Sequence, residues 1–197
     1  MARSVLWRVT GDAMPAPRPA GPAGGASLAP VRTRIDVNPG LPPVPIAAAL
    51  LNEICAHALE ADPEECCGLV TGDAACRFAR VHRCRNEMTA LHRREPARWP
   101  RDGREAFHMN ELDYLKVLDE ATARGERVTA VYHSHVGPGA YFSETDQEFA
   151  AAPAFPFPGA DHIVVAVFGG SVLGHGAFSQ VAGGSVFFGR QLVAEGP

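Results

Sequence analysis

The chain has 197 residues, of which 46% are hydrophobic and 20% are charged, and its formal net charge is −4. These totals are typical of a globular protein with a full hydrophobic core. The acidic balance excludes a chain that binds nucleic acid through overall positive charge, and no apolar run approaches the ~20 residues of a transmembrane helix.

The cysteines indicate the redox environment. There are five of them, an odd number, and no two have the Cys-x-x-Cys spacing: Cys55, Cys66, Cys67, Cys76 and Cys84. This pattern argues against a disulfide framework and against a zinc site made only of cysteines. We therefore expect a protein of the reducing cytoplasm.

The first 30 residues differ in composition from the rest. Ala, Pro and Gly dominate from Gly11 to Pro30, and such a segment cannot bury enough apolar surface to offset the entropy lost on ordering. We expect either a flexible N-terminal extension over residues 1–30 or a segment included through a wrongly assigned start codon. One domain over residues 31–197 follows.

The domain is predicted to open with a strand, a helix and a strand pair. Alternation of apolar and polar residues predicts a first strand over Val31–Val37, and the prolines that follow predict an irregular segment. Apolar residues at i, i+4 spacing predict a helix over Ile46–Glu60. Short apolar runs bounded by turn residues predict a strand over Cys67–Thr71 and its partner over Cys76–Cys84.

An arginine-rich segment separates these elements from a second helix. Arg85–Phe107 lacks a clear period, so the simplest interpretation is a solvated loop, although Trp99 among the arginines leaves partner binding open. Asn110 is a predicted N-cap for a helix over Glu111–Gly125, and Gly125 is a natural stop.

The last part of the chain is predicted to be rich in strands. A strand over Thr129–His135 and a helix over Glu144–Ala151 come first. A continuous apolar run predicts a strand over His162–Phe168 that is buried on both faces. Two further strands are predicted over Val172–Ser179 and Ser185–Arg190. The order of elements predicts an α/β fold with a mixed β-sheet flanked by helices.

Two histidines end the Thr129–His135 strand. His133 and His135 are two residues apart, so on a strand their rings point to the same face and suit one metal ion. Gly137, Pro138 and Gly139 allow a sharp turn, after which the helix can return Asp146 to the histidines. Two imidazoles and one carboxylate are typical of catalytic zinc with a water in the fourth position.

Each half of this pattern also has an ordinary structural interpretation. A histidine in an apolar strand is usually a core or surface residue. The spacing of Ser143 and Asp146 is that of a helix capping box. The combination of both halves around a glycine-rich turn favours the metal site.

The complete pattern, His-x-His, seven residues, then Ser-x-x-Asp, resembles the signature of the JAMM (MPN+) zinc metalloproteases. That family has an upstream glutamate in a Pro-x-Glu-x-x-Gly context, and Pro63-Glu64-Glu65-Cys66-Cys67-Gly68 places Glu65 there. The resemblance covers roughly Ile35 to Arg190. It implies a cytidine-deaminase-like sandwich and a zinc ion held by His133, His135 and Asp146.

The resemblance also implies roles for two further residues. Glu65 is the expected general base, which takes a proton from the attacking water and passes it to the leaving amine. Its neighbour Glu64 points elsewhere if the segment is extended. Ser143 is the expected donor to the developing oxyanion. Ser134 lies between the two histidines and points away from them on a strand, so it is expected to pack elsewhere. Asn86, just after the predicted strand pair, is expected to hold the local backbone in place.

The substrate that the resemblance implies is the C-terminal tail of a ubiquitin-like or sulfur-carrier protein that ends in Gly-Gly. The compact length favours the prokaryotic type that trims sulfur carriers, with no nucleic-acid or membrane partner and an oligomeric state that the sequence leaves open. Three alternatives remain: a deubiquitinase-like isopeptidase, a non-catalytic scaffold of the MPN type, and an iron oxygenase that uses two histidines and one carboxylate.

Overall fold

A computed structural model describes residues 33–181 and 186–196. The described residues form the strands and helices β1 (Val44–Ala47), α1 (Ala48–Ala61), β2 (Cys67–Gly72), β3 (Arg80–Cys84), α2 (Met88–Arg94), α3 (Glu111–Ala123), β4 (Arg127–Val136), α4 (Glu144–Ala150), β5 (Asp161–Phe168), β6 (Ser171–Gln180) and β7 (Phe187–Glu195). None of these helices combines the length and the apolar character needed to span a bilayer.

The strands form one mixed sheet. Their order across the sheet is β1-β7-β6-β5-β4-β2-β3. β4 pairs with β5 in parallel, as β1 does with β7, and the other neighbours are antiparallel. The predicted α/β fold with a mixed sheet is therefore confirmed, and β5 is buried over all but its last residue, as its continuous apolar run predicts.

Helices cover both faces of the sheet, and β4 contributes to both cores. Ala130 and Tyr132 pack in the cluster that contains Leu51 and Ile54 of α1. Val131 packs in the other cluster, with residues of α3. Because side chains alternate along a strand, His133 and His135 continue the face of Val131. The pleat of β4 thus directs both histidines to the side of the sheet that α3 covers.

The beginning of the domain differs from the prediction. In the described part of Val31–Val37, Ile35 and Val37 form only isolated bridges, to Phe142 and Gly189. The first strand among the described residues is Val44–Ala47, where the prolines predict an irregular segment, and α1 begins at Ala48. Pro45 is compatible with this strand because β1 lies at the sheet edge, where a missing N–H need not break a ladder.

Other boundaries were also wrong. The segment Arg85–Phe107 contains helix α2, whose residues Met88 and Leu91 are buried at i, i+3 spacing. β3 begins only at Arg80, not at Cys76. β7 continues beyond Arg190 to Glu195 because its last residues pair with β1, a long-range contact that local patterning does not reveal. The predicted extension over residues 1–30 lies outside the described residues.

Gly68 provides a test of the packing that supports β4. A Cβ at this position would lie 2.4 Å from the His82 carbonyl oxygen and 2.4 Å from the Tyr132 ring. We expect Gly68→Ala to lower the free energy of unfolding by about 1–3 kcal/mol, as overpacking does, in urea titrations. The matched control is Gly174→Ala, because a Cβ at Gly174 meets nothing within 4 Å. Equal stability of the two variants would contradict this packing.

Candidate metal centre

Two histidines project from the middle of the sheet. His133 and His135 lie on β4, between β2 and β5. His133 is only 1% exposed, and His135 is partly buried. Their Nε2 atoms lie 3.2 Å apart. Two imidazole nitrogens at this distance repel each other unless a proton or a metal ion lies between them.

The chain returns a carboxylate to these nitrogens through a glycine-rich turn. Gly137 and Gly139 have positive φ angles of 147° and 105°, which favour glycine. Helix α4 then starts with a capping box, in which Ser143 Oγ accepts from the Asp146 N–H and Asp146 accepts from the Ser143 N–H. The cap fixes Asp146 in the first turn of α4, directed at the histidines.

The three side chains meet at distances that fit a metal ion. Asp146 Oδ1 lies 3.5 Å from His133 Nε2, and Asp146 Oδ2 lies 3.5 Å from His135 Nε2. Two atoms bound at ~2.1 Å to one tetrahedral zinc ion lie about 3.4 Å apart. Among the described residues, only these three form a group of at least three His, Cys, Asp or Glu side chains with convergent ligand atoms. The donor set therefore fits zinc in both chemistry and spacing.

The electrostatics of the cluster favour a positive charge at its centre. Burial alone would raise the pKa of Asp146, but His133, His135 and the Ser143 hydrogen bond hold that pKa well below its usual range. Burial disfavours charge on both histidines. It lowers the pKa of His135, whereas the carboxylates of Asp146 and Glu65 outweigh it at His133 and raise that pKa. A carboxylate that stays ionised beside two imidazoles can bind either a proton or a metal cation.

Two aromatic rings pack against the histidines, and the sequence analysis missed both. Phe107 stacks on His133 with the ring centroids 4.8 Å apart. Tyr141 packs against His135 at 4.7 Å. The rings restrict the orientation of the imidazoles and exclude water from one side of each. A weak signal existed for Tyr141, which lies between the glycine turn and the Ser143 cap, whereas Phe107 lies in a segment without a recognisable period.

Glu65 lies at the edge of the same cluster. It is only 7% exposed, and burial raises its pKa to about 8, with His133 and Arg101 acting in the opposite direction and Asp146 adding to the rise. Its neighbour Glu64 points elsewhere, because Glu64 Oε1 accepts a 2.8 Å hydrogen bond from Thr89. The two glutamates thus diverge as expected, and the Glu65 carboxyl interacts electrostatically with His133.

A backbone network holds the Glu65 segment in place. Asn86 Nδ2 donates to the Glu65 and Ala106 carbonyls, and its Oδ1 accepts from the backbone of Met88 and His108. The predicted backbone-holding role of Asn86 is therefore confirmed. Ser134 Oγ of β4 also accepts a 2.8 Å hydrogen bond from the N–H of Cys66, the residue that follows Glu65.

Ser143 already uses its hydroxyl in the helix cap. Its Oγ donates to Asp146 Oδ2 at 2.6 Å and accepts from the Asp146 N–H at 3.1 Å. A hydroxyl has one proton to donate. Any hydrogen bond from Ser143 to a substrate oxygen therefore requires that proton to turn away from Asp146.

The cysteines and the other histidines lie outside this cluster of His133, His135 and Asp146. All five cysteines are free thiols in the structure. Several of the other histidines have structural partners: His57 bonds the buried Tyr132 hydroxyl at 2.8 Å, and His82 bonds Thr71 at 3.0 Å. These contacts give both histidines a structural role.

Metal content tests the cluster directly. We expect His135→Ala and Asp146→Ala to lose bound zinc, because each removes one of three ligands, and we expect Glu65→Gln to keep it. Elemental analysis after dialysis of equal protein amounts measures this. Glu144→Ala is the control, since Glu144 is an exposed carboxylate in the same helical turn. One zinc ion per chain in the Asp146→Ala protein would rule out the cluster as the binding site.

The raised pKa of Glu65 predicts a pH-dependent effect in chelator-treated protein. A carboxyl whose folded-state pKa of about 8 exceeds its ordinary value of 4.5 stabilises the fold below pH 4.5, and this contribution is lost as pH rises toward 8. Glu65→Gln should therefore stabilise the protein relative to wild type more at pH 8 than at pH 5, in urea titrations. Glu53→Gln, on the exposed part of α1, is the control. A pH-independent difference for Glu65→Gln would show that the carboxyl is not held in a buried environment.

Comparisons with known proteins agree with this fold. A protein from Desulfitobacterium hafniense, known from its solution structure, is 18% identical with a TM-score of 0.54, and the match covers 78% of this chain and 94% of that chain. A protein from Salinibacter ruber is 27% identical with a TM-score of 0.52, with 77% and 91% covered. No curated protein matches.

A family model described as prokaryotic homologs of the JAB domain matches residues 47–181, more than half of the chain. The chain therefore belongs to the JAB/MPN (JAMM) family, in its compact prokaryotic form.

Proposed function

We propose that this protein is a zinc metallopeptidase that cleaves a peptide or isopeptide bond at the C-terminal tail of a ubiquitin-like or sulfur-carrier protein. The observation that carries the proposal is the convergence of His133, His135 and Asp146, whose ligand atoms lie 3.2–3.5 Å apart. The family supplies the expectation of zinc. A non-catalytic scaffold has no need for three convergent ligands and a buried carboxyl beside them.

His133, His135 and Asp146 would hold the metal. Zinc, when bound by two histidines and one carboxylate, polarises a carbonyl and lowers the pKa of water to near ~7. Asp146 Oδ2 is already bonded twice to Ser143, which leaves Oδ1 as its more available oxygen. The same ligand set could hold iron, and elemental analysis of the purified protein separates the two metals.

Glu65 is the proposed general base. Its carboxyl lies in a buried environment that raises the pKa to about 8, so it binds and releases a proton near neutral pH. Water loses one proton to Glu65 as its oxygen bonds the amide carbon, and the proton then passes from Glu65 to the departing nitrogen. Ser143 contributes a hydrogen bond to the carbonyl oxygen if its hydroxyl turns from Asp146.

The surface next to Glu65 supports an extended substrate. An open cavity of about 520 Å³ is lined by Glu65, by Arg83 and Asn86 at and after the end of β3, and by His57 and Ala61 of α1. The three candidate metal ligands are not part of its lining. β3 is the last strand of the sheet, beside β2. A Gly-Gly tail has no side chains to obstruct its backbone, so it can pair with such an edge in the manner of β-strand addition.

Cleavage of defined substrates tests the function. The zinc-loaded protein should cleave a carrier protein that bears a C-terminal extension after Gly-Gly, and Glu65→Gln should lower the rate at least about 100-fold while zinc content stays unchanged. Glu64→Gln is the matched control and should keep a near-normal rate. A lysine-linked conjugate, assayed by mass spectrometry beside the linear fusion, distinguishes isopeptidase from peptidase activity. Near-normal turnover by Glu65→Gln would remove the assigned base, and no cleavage of several carriers would remove the substrate class.

A further inference from the structure

A segment that precedes the first strand packs against the turn that leads into α4. Residues 33–38, which we call the anchor segment, lie ahead of β1 in the chain. Ile35 and Phe142 exchange two backbone hydrogen bonds of 2.9 and 2.8 Å. The Gln147 side chain, which is 5% exposed, donates from Nε2 to the Thr33 carbonyl at 3.1 Å and to the Phe142 carbonyl at 3.3 Å. Backbone and side-chain bonds therefore fix the anchor segment beside the metal cluster's turn.

Tyr141 connects the anchor segment to a proposed metal ligand. The Arg34 guanidinium carbon lies 5.0 Å from the centroid of the Tyr141 ring, within the range of cation–π attraction. The same ring packs against the His135 imidazole, with 4.7 Å between centroids and 52° between planes. A Cβ at Gly139 would lie 3.3 Å from Tyr141 Cδ1, so the glycine turn also packs closely on the ring. Arg34, Tyr141 and His135 thus form a continuous series of contacts.

His135 has fewer restraints from the sheet than His133. In the register of the strands, His133 lies between Cys67 of β2 and Val164 of β5, whereas His135 has a partner only in β5. The Nδ1 atoms of both histidines are buried and make no hydrogen bond of normal geometry with the described residues. Metal-binding histidines usually donate from this second nitrogen to an acceptor, which fixes the orientation of the ring. At His135, packing against Tyr141 is left to provide that restraint.

We propose that Arg34 and Tyr141 are positioning residues for His135, so that metal binding and docking of the anchor segment are coupled. This inference rests on the proposed function of His133, His135 and Asp146 as metal ligands. When the anchor segment is docked, Arg34 holds the Tyr141 ring, and the ring limits rotation of the His135 imidazole. The imidazole is fixed in turn when it coordinates a metal ion, which favours the docked segment. Because coupling between two sites is reciprocal, each event strengthens the other by the same factor.

Zinc affinity tests the two positioning residues. In competition with a chelator of known affinity, we expect Tyr141→Ala to bind zinc about tenfold to 100-fold more weakly than wild type, as loss of an outer support does. Tyr141→Phe keeps the ring and should stay within about twofold. Arg34→Ala should bind zinc about two- to fivefold more weakly, with no further effect in the Tyr141→Ala background, because Arg34 acts through the ring. A direct effect of the Arg34 charge has the opposite sign, since loss of a nearby cation would tighten zinc binding.

Amide hydrogen exchange tests the reciprocal effect without any measurement of activity. Zinc loading should slow exchange at the Ile35 and Phe142 amides at least about fivefold more than at the Asp73 amide. Asp73 lies between β2 and β3, and its N–H donates to the Cys76 carbonyl at 2.9 Å, so it reports general stabilisation of the fold. In Tyr141→Ala this excess protection should disappear, because the connection between the ligand and the anchor segment is lost.

Control variants separate positioning from a general loss of packing. Tyr114→Ala also removes a partly buried ring, but that ring packs against Phe157 instead of a metal ligand. It should lower thermal stability and leave zinc affinity unchanged. Arg34 is exposed, so Arg34→Ala keeps the inference testable even if Tyr141→Ala does not fold. Unchanged zinc affinity in Tyr141→Ala, tighter binding by Arg34→Ala, or equal protection of Ile35 and Asp73 would overturn the inference while the proposed function stands. A wild-type protein that binds no zinc would overturn both.

Discussion

The site depends on the largely buried carboxylate of Asp146, 13% exposed, which two different elements restrain at once. Ser143 hydrogen-bonds the carboxylate in the capping box of α4. The Nε2 atoms of His133 and His135 on β4 lie 3.5 Å from its two oxygens. A buried carboxylate without partners would be protonated or would destabilise the fold. Here the hydrogen bonds and the imidazoles keep it ionised. The helix cap and the candidate metal site therefore share Asp146, and neither interpretation of the Ser-x-x-Asp pattern excludes the other.

Around this carboxylate, the sheet and its connections place groups that are distant in the chain. Glu65 precedes β2, and β2 pairs with β4 so that Cys67 lies opposite His133. Asn86 attaches the Glu65 backbone to the segment before α3, and Ser134 attaches the next residue to β4. These bonds restrain the position of the proposed base relative to the ligands. Such restraint matters because proton transfer requires heavy atoms within hydrogen-bond reach.

Predictability differed between elements for physical reasons. β5 was recognised because burial on both faces requires a continuous apolar run. The Glu111 helix was recognised because Asn110 caps it locally, with its side chain accepting from the Asp113 N–H. β1 was missed because its pairing with β7 joins residues about 148 positions apart in the chain, such as Val44 and Leu192. Helix α2 was missed because seven residues with only two buried side chains leave little periodic signal.

For the site, the sequence by itself determined the residue types and their local geometry. Strand periodicity puts His133 and His135 on one face, glycines permit the turn, and a helix cap positions Asp146, all through interactions within 14 residues of chain. Only the tertiary structure decided what surrounds them. Phe107 against His133, Gly103 against Glu65 and the burial that raises the Glu65 pKa arise from packing between distant segments. Desolvation and contact between such segments exist only once the chain has folded, so no local pattern encodes them.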